Sequence, residues 1–165
     1  MPGKNIAVFG MTGCGKTTVG KAVAGLNDMT FYDVDEQIEK AENKTITEIF
    51  EKYGESYFRN AERNMIEKLA ALENVVISTG GGAILDKRNV EALKKNCTIV
   101  FLDRDTEEIW KDIDIQNRPL LKDKEQLMKL YNDRIDLYKK FSDITVKNVG
   151  SVDDVAKNIV RLVKA

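Results

Sequence analysis

The 165-residue chain contains no histidine. That absence excludes Ser-His and Cys-His nucleophile mechanisms, His-ligated zinc and the HExxH metalloprotease pattern. Its two cysteines, Cys14 and Cys97, stand far apart and form no CxxC pair, so they point to an intracellular chain without a redox or metal motif. Long apolar runs are missing too. The first one, Ile6-Ala7-Val8-Phe9, is far short of the ~20 residues that span a membrane, and no cleavage-site pattern follows it. An excess of one charge is also lacking: 26 basic residues against 27 acidic ones give a net charge of −1. There is therefore no bulk positive field for nucleic acid. A cytoplasmic monomer with no nucleic-acid or membrane partner is expected. Catalysis, if present, must use carboxylates, Lys, Arg, hydroxyls, backbone dipoles or a borrowed metal.

What the chain does have is alternation. Short apolar segments (Ile6–Phe9, Thr30–Tyr32, Val75–Ile77, Thr98–Leu102 and Ile144–Val146) read as strands, and amphipathic helical stretches separate them. This order predicts one α/β domain over residues 1–165 with a parallel sheet. Thr45 with Glu48, and Ser151 with Asp154, are capping boxes that start two of the helices. The segment 58–72 carries an apolar stripe of Phe58, Ala61, Met65, Leu69 and Leu72. Repeats, low-complexity tracts and linkers are absent from the pattern.

Gly10-Met11-Thr12-Gly13-Cys14-Gly15-Lys16-Thr17 matches G-x-x-x-x-G-K-[ST] in full, between a buried strand and a helix. Such a loop wraps phosphates with backbone N–H groups at a helix N-terminus. Lys16 is placed to reach the β- and γ-phosphates and Thr17 to bind Mg²⁺. Gly13, Cys14, Gly15, Lys16, Thr17 and Thr18 are the expected nucleotide contacts, with ATP and Mg²⁺ as ligands. A dinucleotide fingerprint fails because Thr18 occupies its third glycine position. Cys14 is expected as a small filler rather than a reactive thiol.

The acceptor must be read from other charged groups. The GTPase base-reading motif N-K-x-D is absent, since Thr45-Ile46 follows Asn43-Lys44. Asp33-Val34-Asp35 closes the second strand, where residues i and i+2 share a face and both carboxylates could enter the ligand crevice. One could hold Mg²⁺ through water and the other orient or deprotonate an acceptor hydroxyl, while an N-cap role for the following helix is compatible with either. Arg59 and Glu62 are i, i+3 neighbours on a helix. Asn117-Arg118-Pro119-Leu120-Leu121, between two helical stretches, reads as a flap carrying a cation suited to a transferring phosphoryl group.

Together these elements resemble shikimate kinases: the phosphate loop, Asp33-x-Asp35, Phe58-Arg59-x-x-Glu62, Gly80-Gly81-Gly82, Arg118-Pro119-Leu120-Leu121 and Arg134 with Tyr138, in this order across nearly the whole chain. The resemblance implies a three-layer α/β/α P-loop kinase fold, nucleoside-monophosphate-kinase-like, with a five-stranded parallel sheet. It also implies a substrate-binding insertion at about 34–72, a lid at about 112–122, and ATP-dependent phosphorylation of the shikimate 3-hydroxyl. On this basis Lys16, Asp35 and Arg118 are the catalytic candidates. Arg59 and Arg134 would clamp the acceptor carboxylate, with Glu62 orienting Arg59. Gly80, Gly81, Gly82, Asp35 and Arg118 would complete the acceptor pocket, and Thr17 and Asp33 would hold the metal. Lys111, after Trp110, stands where family members often place an arginine on adenine, and Val149-Gly150-Ser151-Val152 replaces a common Arg-Pro. The competing readings are a gluconate or nucleotide kinase, or an ATP-binding module without turnover.

Overall fold

The computed structural model describes residues 5–113 and 123–165. Arg118 and most of the lid expected at 112–122 lie outside the described residues. Five strands form one parallel sheet in the order β2-β3-β1-β4-β5: β1 Asn5–Phe9, β2 Thr30–Asp33, β3 Val75–Ser78, β4 Cys97–Asp103 and β5 Ile144–Lys147. Every residue of β1 and β3 is buried. Successive side chains of a strand point to opposite faces, so both faces of the central sheet are covered, which gives the expected three layers. This is why those strands read as unbroken apolar runs rather than alternating ones.

The helices are α1 Lys16–Leu26, α2 Val34–Glu42, α3 Ile46–Tyr53, α4 Glu55–Ala70, α5 Lys87–Lys94, α6 Thr106–Asp112, α7 Lys124–Phe141 and α8 Val152–Lys164. α1 packs on α8, while α4 packs against α2, α3 and α5. The N-cap bond of both expected capping boxes forms: Thr45 accepts from the Glu48 N–H and Ser151 from the Asp154 N–H, each at 3.1 Å. In α4 the buried stripe is Phe58, Glu62, Ile66, Leu69 and Ala70. Leu72 lies past the helix end and is exposed, while the acidic Glu62 takes a core position that apolar periodicity alone does not reveal.

Register places the function. Val8 pairs with Ser78 and Val100, Asp33 with Ser78, and Asp103 with Lys147. The carboxyl ends of all five strands therefore finish at one edge, where parallel α/β sheets bind ligands. Thr79 continues β3 along β1: its N–H and its hydroxyl both donate to the Val8 carbonyl, at 3.1 and 3.0 Å. This sets Gly80–Gly82 beside the phosphate loop.

Candidate active site

A pocket at that edge is lined by Thr12, Gly13, Gly15, Lys16, Thr17, Thr18, Asp33, Asp35, Ser78, Thr79, Gly80 and Gly81. It joins the phosphate loop to both expected carboxylates and to Gly80 and Gly81, while Gly82 lies outside its lining. Strand periodicity would put Asp33 and Asp35 on one strand face, and the structure corrects that geometry. β2 ends at Asp33, whose carboxylate caps α2 by accepting from the Glu36 N–H at 3.1 Å, and Asp35 sits in the first turn of the helix. The cap bends the chain into a helix before the i, i+2 relation can apply. Asp33 also accepts from the Thr17 hydroxyl at 2.7 Å, which joins the two residues expected at the metal.

The Lys16 ammonium donates to the Gly10 and Met11 carbonyls at 2.7 and 2.9 Å. It is thereby held against the loop in which sequence places the phosphates. The Cys14 side chain is fully buried, and burial pushes its thiol up, against the opposing pull of Lys16. It is a buried filler, as expected. Lys111 lies on α6 paired with Glu108 at 3.2 Å, with its side chain 67% exposed, and it does not line the pocket. Two residues that no sequence motif singles out touch the loop from outside: Arg104 donates to the Gly13 carbonyl at 3.0 Å and Asn148 to the Cys14 carbonyl at 2.8 Å.

The other half of the pocket is built on the three glycines. A methyl on Gly80 would meet Glu62 Oε2 at 2.8 Å and Asp35 Oδ1 at 3.0 Å. On Gly81 it would meet Arg134 Nη1 at 3.3 Å, and on Gly82 the Arg59 guanidinium at 2.5–2.8 Å. Each glycine thus makes room for charged groups of α2, α4 or α7, and a side chain at any of them would displace those groups. Arg134 is buried on α7, one helical turn before Tyr138, whose hydroxyl donates to the Gly81 carbonyl and whose ring stacks on Phe101 at 4.8 Å.

Arg59 donates to Glu62 Oε1 at 3.0 Å. Exposed i, i+3 pairs contribute little, but here Glu62 is only 1% exposed and its Oε2 has no hydrogen-bond partner among the described residues. Its carboxyl is pushed up from 4.5 to about 7, chiefly by burial and further by the neighbouring Asp35, with Arg59 and Arg134 pulling the other way. Arg59 and Arg134 do not line the pocket themselves; they sit against Gly82 and Gly81 at its border, and two guanidinium groups with a carboxylate beside them suit a small acceptor that carries both a carboxylate and hydroxyl groups.

Comparison with known proteins agrees with this chemistry. The family model "Shikimate kinase" matches residues 12–164. A shikimate kinase of Clostridium botulinum (strain Eklund 17B / Type B) is 42% identical over 159 residues, covering 96% of each chain. The chain belongs to the shikimate kinase family. A shikimate kinase from Acinetobacter baumannii, solved in complex with shikimate, superposes with a TM-score of 0.95 at 36% identity, over 99% of this chain and 94% of that one. A gluconokinase from Sinorhizobium meliloti 1021 shares only the fold, with 17% identity and a TM-score of 0.58. In this chain Thr17 is linked to Asp33, and Gly81 and Gly82 are seated against Arg134 and Arg59.

Proposed function

We propose that this shikimate kinase transfers the γ-phosphoryl group of ATP to the 3-hydroxyl of shikimate, with the residues in the following roles. Lys16 exchanges the Gly10 and Met11 carbonyls for the β- and γ-phosphates. Gly13, Cys14, Gly15, Thr17 and Thr18 supply the rest of the phosphate cradle. Asp35 accepts a hydrogen bond from the acceptor hydroxyl and assists its deprotonation. Arg59, paired with Glu62, and Arg134 bind the shikimate carboxylate, with Gly82 and Gly81 leaving room for the two guanidinium groups. Arg118, outside the described residues, is assigned to the transferring phosphate. The observation that carries this reading is the glycine tract, which fits its glycines against the charged groups of the acceptor half while lying beside the phosphate loop.

Thr17 and Asp33 fit Mg²⁺. They are hard oxygen donors 2.7 Å apart at the loop, and this ion is usually held by few protein ligands together with phosphates and water. When bound, it neutralises charge on the phosphates. No helix among the described residues is long and apolar enough to cross a membrane. A cytoplasmic monomer completes the reading, supported by one chain supplying the whole lining of the pocket.

An ADP-release assay with ATP, Mg²⁺ and either shikimate, gluconate or nucleoside monophosphates tests the assignment. Release dependent on shikimate is expected. Release with gluconate or a nucleotide but not with shikimate would overturn it.

A further inference from the structure

The phosphate loop is anchored by the buried Met11, Cys14 and Lys16, but its centre rests on glycines. Gly13 and Gly15 have φ of +76° and +98°, conformations open to glycine at the cost of high backbone freedom. Four carbonyls of the loop nevertheless accept side-chain hydrogen bonds. Gly10 and Met11 accept from Lys16, which also serves the phosphates; Gly13 and Cys14 accept from Arg104 and Asn148. Neither Arg104 nor Asn148 lines the pocket, so both act on the loop from behind.

The two are themselves anchored. Arg104 places its other terminal nitrogen 2.6 Å from Asp112 at the end of α6. The Asn148 N–H donates to the Asp103 carbonyl at 2.7 Å, next in sequence to Arg104. Asn148 also presses on the loop: a methyl on Gly15 would meet its Nδ2 at 2.5 Å.

A trans peptide is planar, with its C=O and N–H pointing opposite ways. Drawing the Cys14 carbonyl toward Asn148 therefore turns the Gly15 N–H away from Asn148. The Gly13–Cys14 peptide is held at both ends, its carbonyl by Arg104 and its N–H by the Met11 carbonyl at 3.1 Å. We infer that Arg104 and Asn148 are positioning residues for the nucleotide: Arg104 and the Met11 carbonyl lock the Gly13–Cys14 peptide, and Asn148 turns the next peptide so that the Gly15 N–H is aimed at a phosphate, ordering done before binding. This rests on the loop being the nucleotide site.

The test is calorimetric titration of the full chain with ADP and Mg²⁺, alongside steady-state kinetics. From the loss of one hydrogen bond, Asn148→Ala and Arg104→Met each weaken ADP binding about 3–10-fold. The double variant falls short of the product, since both act on adjacent peptides. The ATP KM rises in step, while the shikimate KM and the kcat at saturating ATP stay within about twofold, a split that a general loss of structure would not produce. Arg104→Lys, which keeps a donor and the charge, recovers most of the loss and serves as the check if Arg104→Met folds poorly. Folded variants with wild-type ADP affinity, or a shikimate KM rising together with the ATP KM, would overturn the inference. A wild-type chain that binds no ADP would instead overturn the nucleotide-site reading beneath it.

Discussion

Glu62 offers an unusually clean test of the acceptor pocket, because the chain has no histidine. Histidine is the one side chain whose ordinary pKa lies between pH 5 and 8, so that window is left largely to perturbed groups. Glu62 is buried in α4 between Arg59 and Asp35, and its pKa rises to about 7. With the folded value above the unfolded 4.5, the native state holds more protons than the unfolded state between those two pH values. Stability therefore falls as pH rises through this interval, and the loss is complete once Glu62 is ionised in the fold. The full effect is roughly 3 kcal/mol at about 1.4 kcal/mol per pH unit, of which about 2 kcal/mol falls between pH 5.5 and 8. For a chain of this length that corresponds to about 4–8 °C in Tm. The assay is thermal unfolding of wild type and Glu62→Gln across pH 5.5–8 at constant ionic strength. The wild-type Tm declines through the interval, and the variant, which has nothing to ionise there, gives a nearly flat profile. Parallel profiles would refute the reasoning, because they would mean that Glu62 is ionised throughout.

The same carboxyl links to the acceptor. An anionic ligand beside Glu62 raises its pKa further, so shikimate binding near pH 7 takes up a fraction of a proton; calorimetry in two buffers of different ionisation enthalpy reads this, and Glu62→Gln abolishes it. Asp35→Asn lowers kcat by about 10²-fold or more while the ADP affinity stays within about twofold, as fits the loss of a group that acts on the acceptor hydroxyl. Arg59→Ala raises the shikimate KM by about 10–100-fold with little change in the ATP KM, as measured by steady-state kinetics. Gly82→Ala moves the same constant in the same direction, because its methyl would meet the Arg59 guanidinium at 2.5–2.8 Å.

Much of this is legible in the chain itself, for local reasons. The phosphate loop depends on residues within eight positions of one another, and the central strands advertise burial on both faces by their unbroken apolar runs. The capping boxes at Thr45 and Ser151 are equally local. Asp33 and Asp35 are legible as a pair but not in their geometry, because the helix cap at Asp33 outcompetes strand periodicity. Glu62 reads in sequence only as an i, i+3 neighbour of Arg59 on a helix. Its burial comes from packing α4 against the glycine tract and α2, contacts that sequence spacing does not express. Arg104 and Asn148 are invisible there because each acts on a backbone carbonyl 91 and 134 positions away in the chain, and a carbonyl carries no residue signature. Arg134 is placed in sequence by family resemblance alone; its burial beside Gly81 and its position one turn from Tyr138 supply the physical reason.

The central claim is that the γ-phosphoryl group goes to an acceptor hydroxyl held at Asp35 rather than to water. Phosphorus NMR of a reaction with ATP, Mg²⁺ and shikimate reads this directly. The expected result is a phosphomonoester signal that grows in proportion to ADP, assigned to the 3-position by its coupling to the ring proton there, and nearly lost in Asp35→Asn. ADP appearing with inorganic phosphate alone, or a monoester at another ring position, would contradict the account.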